Sequence, residues 1–410
     1  MSRIKRFAAI TVLSAVYLKA GIYARLTRWL WRRPKKASGR VMLIGTFHNP
    51  NWFHAHVIPI VQANEGGVIL VCDEPVEEVD GLETICPPPL ANKLLSRALA
   101  KFLWGLAAAI RQRPDVVMGY HIFPAAISAL IIGRSVNALT GYQMTAGPLE
   151  TEGGGWNAEN VVLRMLGHAS PFVERRVLGA IRHFDEVIVR GTRAENYLRD
   201  NGFGGTIRII TGSVEVPETV ADHASREYDL VFVGRLTEYK RPDRLLKVIE
   251  GLVSNGLTDL KVLMIGEGPD REELEATAKA AGISDNIEWA GQRSDVVDQL
   301  QRARMFILTS RWEGLSIALL EAMIGGLVPV VSNVGDLSDV VHNGENGFIP
   351  DEDDIESFVD AVGRVARDPS TWEEFSAAAR ATGIAKASRA TVIGQWREMF
   401  ADARRSDPVD

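Results

Sequence analysis

The sequence predicts an α/β protein with two domains, each built on a parallel sheet that helices cover on both faces. The chain has 410 residues, more than a single hydrophobic core usually organises. It contains short, apolar, β-branched runs that alternate with helical stretches, a pattern typical of buried parallel strands. The runs form two series on either side of a polar stretch at 217–229, so we expect one sheet from each series.

The composition fits a folded chain. The residues are 46% hydrophobic and 24% charged, which excludes disordered, collagen-like and multi-span membrane proteins. Cys72 and Cys86 are the only cysteines, too few for a disulfide framework. Their number suggests a reducing compartment.

The first series contains five runs, and each is followed by a loop or helix signal: VMLIGT (41–46), VILVC (68–72), VVMGY (116–120), EVIVR (186–190) and IRIIT (207–211). The second series contains four: DLVFVG (229–234), LKVLMIG (260–266), MFILTS (305–310) and VPVVS (328–332). They predict Rossmann-like domains over 39–215 and 228–375, with 376–410 as a helix that packs across both. Ligands of such sheets bind beyond the carboxyl ends of the strands, so we expect the site residues in the following loops.

Charge is distributed unevenly along the chain. Residues 1–40 hold eleven Lys and Arg and no acid, so the remaining chain carries −17 although the net charge is only −6. Residues 7–24 are apolar except for Lys19 and small polar residues, and Trp29, Trp31 and a run of cations follow. A secretory signal and a single membrane span are possible alternatives. The favoured interpretation makes 1–38 a basic amphipathic segment that lies on an anionic membrane surface, with no nucleic-acid partner.

A second basic segment precedes the third run. Lys93, Arg97 and Lys101 follow helical spacing, and no acid occurs between Glu83 and Asp115. The segment is interpreted either as a second membrane contact or as a half-buried helix with a solvated basic stripe.

Two loops of the second series offer groups for a diphosphate. VGRLTEYKRP places Arg235 and Lys240 after Gly234, at the end of a predicted strand, where two cations can clamp a diphosphate. IGEGPDREELEA offers Gly266 and Gly268 but lacks the third glycine of a dinucleotide fingerprint. The second loop therefore argues against an NAD-type turn and favours a close backbone approach to another ligand.

The third loop, SRWEGLSIALLEAMIGG, is the most informative. The amides of Gly314, Leu315 and Ser316 precede a predicted helix, whose N-terminus favours a phosphate. Glu321 follows about 7.5 Å up the helix axis, where a carboxylate can accept both hydroxyls of a ribose. Glu313 lies at the opposite, open end of this loop.

Together these motifs resemble glycosyltransferase family 4 over roughly 228–350. The residues that carry the resemblance are Gly234-Arg235-Leu236, Lys240, Gly266-x-Gly268-Pro269, Gly291, Glu313 and Glu321 with seven residues between them, Gly325, Pro329 and Asn343-Gly344-x-Asn346-Gly347.

The resemblance implies the GT-B fold, with two Rossmann-like domains facing a central cleft. It also implies a nucleotide-sugar donor held by the C-terminal domain, retention of anomeric configuration, and no metal or other cofactor. By position, Arg235 and Lys240 would neutralise the leaving diphosphate, Glu321 would bind the donor ribose, and Glu313 would lie near the transferred sugar. The implied donor-binding set is Gly234, Gly266, Gly268, Gly314, Leu315, Ser316 and Glu321. The only Asp-x-Asp, Asp351 and Asp353, lies at a predicted helix start and is interpreted as structural.

The first half resembles the family less. His121 closes the third run, where relatives commonly carry a histidine that faces the cleft, and it completes a catalytic set with Glu313, Arg235 and Lys240. His54 and His56 are expected on a strand, where residues two apart point in opposite directions and make poor joint metal ligands. The glycine-rich segment TAGPLETEGGGW (145–156) is expected to be flexible and either to shape an acceptor site or to loop out.

The sequence therefore predicts a retaining glycosyltransferase that acts at the cytoplasmic membrane face. Its acceptor would be a lipid-linked glycan intermediate or a polysaccharide precursor. The alternatives are a GT-B sugar-nucleotide epimerase or hydrolase, and a non-catalytic subunit of a membrane glycan assembly complex.

Overall fold

The computed structural model describes residues 3–30, 38–158, 160–351 and 353–405. Its chain divides into two compact units. The first unit comprises Met1–Gly212 and Val392–Asp410, and the second comprises Ser213–Thr391.

The first unit contains seven strands in one parallel sheet: β1 (Val41–Ile44), β2 (Val68–Val71), β3 (Leu82–Ile85), β4 (Val116–Tyr120), β5 (Leu139–Met144), β6 (Glu186–Val189) and β7 (Thr206–Ile209). Their order is β3-β2-β1-β4-β5-β6-β7. The five predicted runs are confirmed as strands. Two strands were not predicted from the sequence. Strand β3 is an edge strand that is only half-buried, and β5, with the sequence LTGYQM, contains too few apolar residues for the pattern.

Nine helices of the described part of this unit precede its C-terminal segment: α1 (Arg3–Leu30), α2 (Pro50–His56), α3 (Ile58–Ala63), α4 (Pro89–Leu95), α5 (Arg97–Gln112), α6 (Ile127–Val136), α7 (Val161–Arg164), α8 (Pro171–Ile181) and α9 (Thr192–Asp200). Residues from Val392 onward return to this unit, where Trp396 and Phe400 pack in the core formed by β1, β2 and β4.

The second unit contains five parallel strands: β8 (Tyr228–Val233), β9 (Val262–Ile265), β10 (Ile287–Gly291), β11 (Ala303–Leu308) and β12 (Val328–Val331). Their order is β10-β9-β8-β11-β12. The four predicted runs are confirmed, and the edge strand β10 was missed.

The helices of the second unit are α10 (Pro242–Ser254), α11 (Arg271–Ala280), α12 (Val296–Leu300), α13 (Ile317–Ile324), α14 (Ile355–Ala366) and α15 (Pro369–Ala387). Residues 376–410 were predicted as one terminal helix. Their described part, up to residue 405, comprises the end of α15 and α16 (Arg389–Arg405), with Ser388 between them.

Helix α1 packs one face against α6 and α8 and exposes the other. The buried face contributes to the core of the first unit: Ala9, Leu13, Tyr17, Ala20 and Ala24. The exposed face is also apolar: Ile4, Phe7, Val12, Leu18, Ile22 and Leu26. Within α1, Ile4–Thr27 is long and apolar enough to cross a membrane, by length and composition only. Trp31 and the cations at 32–36 lie outside the described residues, as does the side chain of Trp29.

The prediction that Lys93, Arg97 and Lys101 form one exposed basic stripe is wrong for Lys101. Lys101 of α5 is buried, and its ammonium group donates to Asp73 (2.9 Å), to the Thr46 hydroxyl (3.0 Å) and to the Gly45 carbonyl (3.2 Å). A buried ammonium requires such partners, so Lys101 holds the loop after β1 against the end of β2. Lys93 and Arg97 are exposed as predicted.

Candidate functional site

The predicted donor-site residues of the second unit lie at three adjacent strand ends. Gly234 follows β8, Gly266 follows β9, and Ser310 begins the loop after β11. These strands are neighbours in a parallel sheet, so all three loops meet at one edge. The structure thus assembles, on one unit, groups that are up to 87 positions apart in the chain, from Gly234 to Glu321.

Glycines bring two of these loops into direct contact. A Cβ on Gly266 would lie 1.8 Å from the Gly234 carbonyl oxygen, and one on Gly268 would lie 2.1 Å from the Leu236 carbonyl oxygen. The Leu236 amide also donates to the Glu267 carbonyl (3.0 Å). The close approach inferred from the two glycines is therefore to the neighbouring backbone, and it fixes the loop that carries Arg235 and Lys240.

Lys240 and Glu313 form an ion pair at this edge. The Lys240 ammonium lies 2.6 Å from Glu313 Oε1, which also accepts a hydrogen bond from the Ser310 hydroxyl (2.6 Å). The Glu313 side chain is 8% exposed and that of Lys240 21%. A cation in this position is held by a single carboxylate oxygen and can turn towards an incoming anion.

The loop after β11 ends in a capped helix. The Ser316 hydroxyl accepts from the Leu319 amide (3.3 Å) and so caps α13. The positive end of this helix lies directly after Gly314 and Leu315, which matches the predicted phosphate-binding position.

Glu321 lies in the second turn of α13, among apolar neighbours in the sequence. Burial raises its pKa to about 7, well above that of an ordinary glutamate. A carboxyl group that is costly to ionise in this environment is a good candidate for ligand recognition. Arg235, by contrast, is exposed in the loop after β8.

The acidic run near residue 350 has structural partners. Asp354 caps α14 by accepting from the Ser357 amide (3.2 Å), and Asp353 pairs with Arg244 (2.6 Å). No group of three or more His, Cys, Asp or Glu able to hold a metal ion occurs among the described residues.

His121 lies at the carboxyl end of β4 in the first unit, with half of its side chain exposed. Its backbone has φ 59° and ψ 147°, a conformation that costs a non-glycine residue about 1–3 kcal/mol. The His121 amide donates to the Gln143 carbonyl of β5 (3.1 Å), which holds this conformation in place. The ring of Trp52 lies nearly parallel to the His121 ring, 6.2 Å away.

Sequence reasoning missed Glu150, which anchors His121. Its carboxylate, 3% exposed, lies 3.2 Å from His121 Nδ1. Burial alone would raise the pKa of Glu150, but His121, the Ala146 amide and the Tyr142 hydroxyl together lower it below its usual range. Its position in TAGPLETEGGGW carried no signal beyond a polar residue in a loop.

Two predictions about the first unit are wrong. His54 and His56 lie on helix α2 instead of a strand, with His56 buried and His54 bonded to Glu77 (2.9 Å). The glycine-rich segment does not loop out. Gly153 and Gly154 are buried with positive φ, and a Cβ on either would lie within 3 Å of a packed side chain. These glycines therefore serve close packing, not flexibility.

Comparison with known proteins finds a family match within the second unit. Residues 218–382 match the family model of glycosyl transferases group 1. Over this segment the motifs are confirmed as those of a glycosyltransferase of group 1, while the finer resemblance to family 4 stays a prediction.

Curated relatives match part of the chain, and two of them illustrate the range. A protein of Haemophilus influenzae described as an uncharacterized glycosyltransferase is 30% identical over 173 residues, which cover 41% of this chain and 47% of that protein. The UDP-Gal:alpha-D-GlcNAc-diphosphoundecaprenol alpha-1,3-galactosyltransferase of Escherichia coli is 28% identical over 156 residues, covering 38% and 40%. The chain thus spans less than half the length of these relatives.

The structural likeness extends further. HepE of Anabaena, solved in complex with UDP and glucose, superimposes with a TM-score of 0.70 at 13% identity, covering 88% of this chain and 99% of that one. The fold is shared, and the predicted GT-B class with two parallel-sheet domains is confirmed.

Proposed function

We propose that the protein is a retaining glycosyltransferase of family 4 that transfers a sugar from a nucleotide-sugar donor to a lipid-linked glycan intermediate or polysaccharide precursor. One observation carries the proposal: the Lys240–Glu313 pair, the capped N-terminus of α13 and Glu321 lie together beyond the strands of one sheet. This arrangement suits a ligand with a diphosphate at one end and a ribose at the other.

In the proposed reaction, the bond between the sugar C1 and the diphosphate oxygen breaks, and the acceptor oxygen bonds to C1 on the same face. The acceptor hydroxyl proton passes to the departing diphosphate. Negative charge develops on that diphosphate, and Arg235, Lys240 and the amides at the start of α13 would stabilise it. These groups supply the positive charge that a metal ion would otherwise provide, so the proposed reaction has no cofactor.

The relatives indicate the class of donor and acceptor to test first. The name of the E. coli relative specifies UDP-galactose and an acceptor on diphosphoundecaprenol, and HepE was solved with UDP. By analogy, we infer a UDP-sugar donor and an acceptor carried by a lipid.

We expect a UDP-sugar to raise the thermal unfolding midpoint of the protein more than a GDP- or ADP-sugar. At a hundred times its Kd, a ligand adds about 2.7 kcal/mol, or about 5–10 °C for a domain of this size. Thermal-shift assays of the three donor classes measure this, with Lys240→Ala as the variant that should lose the shift. Equal midpoints with all three donors would contradict the preference for UDP, and no shift with any of them would contradict the assignment of this site. Release of free sugar or of an epimerised nucleotide without an acceptor would favour a hydrolase or epimerase instead.

The proposed location is the cytoplasmic face of the membrane, with α1 lying on an anionic bilayer surface. The outer face of α1 exposes Ile4, Phe7, Val12, Leu18, Ile22 and Leu26. Lys5, Lys19 and Arg25 are exposed on the same helix, which contains no acid. A helix with an apolar stripe and flanking cations binds in the interface plane. The burial of its other face supports this alternative over a membrane span.

Helices α4 and α5 offer a second exposed surface of the same character. Leu90, Leu94 and Leu99 are exposed beside Lys93 and Arg97. Both α5 and α1 pack against α6. The two surfaces therefore border one helix, and we propose that both face the bilayer.

Replacing Phe7 and Ile22 together by Glu is expected to abolish binding to vesicles that contain anionic phospholipid. Both side chains are exposed, so the fold should be retained, whereas deleting the helix would remove Leu13 and Tyr17 from the core. Cosedimentation with anionic and with neutral vesicles measures the effect. Val297→Glu, at an exposed position of the second unit, is the control. Wild-type binding by the double variant would disprove the membrane role of α1.

A further inference from the structure

Both oxygens of the Glu150 carboxylate have several polar partners, on β5 and in the loops after β4 and β5. Oε1 accepts from the Thr145 and Ala146 amides (both 2.8 Å) and lies 3.2 Å from His121 Nδ1. Oε2 accepts from the Ile122 amide (2.9 Å) and from the Tyr142 hydroxyl (2.8 Å). Glu150 therefore joins the loop after β4 to the loop after β5 through a single buried charge.

We propose that Glu150 is a positioning residue for His121. It holds Nδ1 towards the protein and leaves Nε2 at the exposed side, where the ring accepts a hydrogen bond from a hydroxyl of a carbohydrate ligand. The proposal rests on the proposed transferase function for the identity of that ligand. The pairing of Glu150 with His121 is independent of it.

Ring and backbone of the His121 segment are fixed by the same carboxylate. One oxygen faces the ring nitrogen, and the other accepts from the amide of the next residue, Ile122. The positive φ of His121 takes the backbone out of the extended strand conformation at this point. If Glu150 only stabilised the turn, its hydrogen bond from the Ile122 amide would be enough. Its additional contact with His121 Nδ1 orients the imidazole ring.

The hydrogen-bond partners define the tautomer. An ionised carboxylate can only accept, so the nitrogen that faces it carries the hydrogen. In neutral His121 this leaves the lone pair on Nε2, which then acts as an acceptor. The Thr145 hydroxyl lies closer to Nδ1 (3.0 Å) than to Nε2 (3.5 Å), and it donates to Glu150 Oε1 (3.3 Å). It therefore belongs to the group of contacts on the Nδ1 side of the ring.

The exposed side of His121 has the character of a sugar-binding surface. The His121 side chain is 51% exposed although its partner is 3% exposed, so solvent reaches the ring beside a buried anchor. The Trp52 ring lies parallel to it within 9°. An aromatic ring beside a hydrogen-bond acceptor suits a ligand with an apolar face and projecting hydroxyls, as a pyranose has.

Helix α1 closes the inner side of this cluster. Tyr17 packs edge-on against Phe123, which follows the His121 turn, and the ring centroids are 6.2 Å apart. Burial, together with the nearby charge of Glu150, raises the pKa of Tyr17. Helix α1 thus helps to bury Glu150. Burial strengthens the electrostatic interaction between the Glu150 carboxylate and His121.

The tautomer of His121 can be measured in the unmodified protein. Nitrogen-15 NMR of the imidazole rings is expected to show hydrogen on Nδ1 of neutral His121. Hydrogen on Nε2 would overturn the proposal. This measurement needs no variant and no substrate.

The Glu150→Gln variant tests the charge. We expect the His121 ring to titrate at a lower pH than in wild type, because the cation loses its carboxylate partner. The other titratable groups around the cluster stay in place in this comparison: His56 on α2, Tyr142 on β5, Arg190 after β6 and Tyr17 on α1. Glu152→Gln, on an exposed neighbour, is the control and should leave the titration unchanged. An unchanged midpoint in Glu150→Gln would overturn the proposal.

A double-mutant cycle separates positioning from a structural role. Glu150→Gln is expected to lower the transfer rate at least tenfold in wild type but less than twofold in the His121→Ala background. Equal losses in both backgrounds would mean that Glu150 acts independently of His121, and would overturn the proposal. Absence of transfer with every donor and acceptor would contradict the proposed function, while the NMR measurements would still decide the pairing.

Discussion

Replacing Lys240 by alanine is expected to lower kcat/KM for sugar transfer about 30- to 1,000-fold, a loss of about 2–4 kcal/mol of transition-state stabilisation. The ammonium group is poised at the strand edge by one oxygen of Glu313, 2.6 Å away. When the diphosphate departs, the Lys240 ammonium can move towards it and stabilise its negative charge. Alanine has no group that can do this. Steady-state kinetics with the donor identified by thermal shift measure the effect.

Two controls separate this loss from a loss of stability. Alanine at position 240 leaves the Glu313 carboxylate, 8% exposed, without its cation, and an unpaired buried charge destabilises the fold. Adding Glu313→Gln to the Lys240→Ala variant removes that unpaired charge. The double variant should recover the unfolding midpoint but still lack the lysine. Lys247→Ala, on an exposed position of α10, should leave kinetics unchanged. Near wild-type turnover in Lys240→Ala would remove Lys240 from the site.

The strand, loop and helix that carry the proposed donor site could be predicted from sequence because their signals are local. Strand β11, the Glu313-to-Ser316 loop and Glu321 follow one another within 20 residues, so the order of residues alone places the loop at a strand end and the glutamate on a helix. The glycines after β9 were detected too. Their partner was not, since the chain segment they pack against lies about 30 residues earlier and only the fold brings it near.

The cluster around His121 in the first unit was harder to predict for the same physical reason. Glu150 and His121 are 29 residues apart, and their contact depends on the pairing of β4 with β5. Strand β5 was not recognised as a strand from its sequence. Lys101 shows the converse error. Helical spacing placed it correctly on α5, but only the tertiary structure shows that it turns inward to Asp73 and not outward with Lys93 and Arg97. Periodicity gives the face of a helix, not the depth to which a long side chain is buried.

Replacing Glu321 by glutamine is expected to stabilise the protein at pH 8 while weakening donor binding. Burial raises the pKa of Glu321 to about 7, whereas the unfolded chain has the ordinary value of 4.5. The folded state therefore favours the protonated form. Stability from this group is fully present below pH 4.5 and is lost as the pH rises to 7. Above pH 7, ionisation of Glu321 lowers the free energy of unfolding by at most about 3 kcal/mol relative to the protonated form. Glutamine does not ionise, so the variant keeps this stability.

Thermal unfolding between pH 4.5 and 8.5 measures this difference. The midpoint of Glu321→Gln relative to wild type should rise through this range and level off above pH 7, by about 5–10 °C. Glu272→Gln, on an exposed position of α11, is the control and should show no such trend. A difference that does not change with pH would mean that Glu321 does not titrate near 7 in the folded protein.

The same variant should bind the donor about 10- to 100-fold more weakly at pH 8, because a carboxylate accepts two ribose hydroxyls and an amide oxygen accepts less strongly. In wild type, donor affinity should fall as the pH drops through 7 and Glu321 takes up a proton, and in Glu321→Gln this dependence should disappear. Isothermal titration at pH 6 and pH 8 measures both. A residue kept at a cost to stability is one that a ligand uses, so a gain in stability without a loss of binding would show that Glu321 has no part in donor recognition.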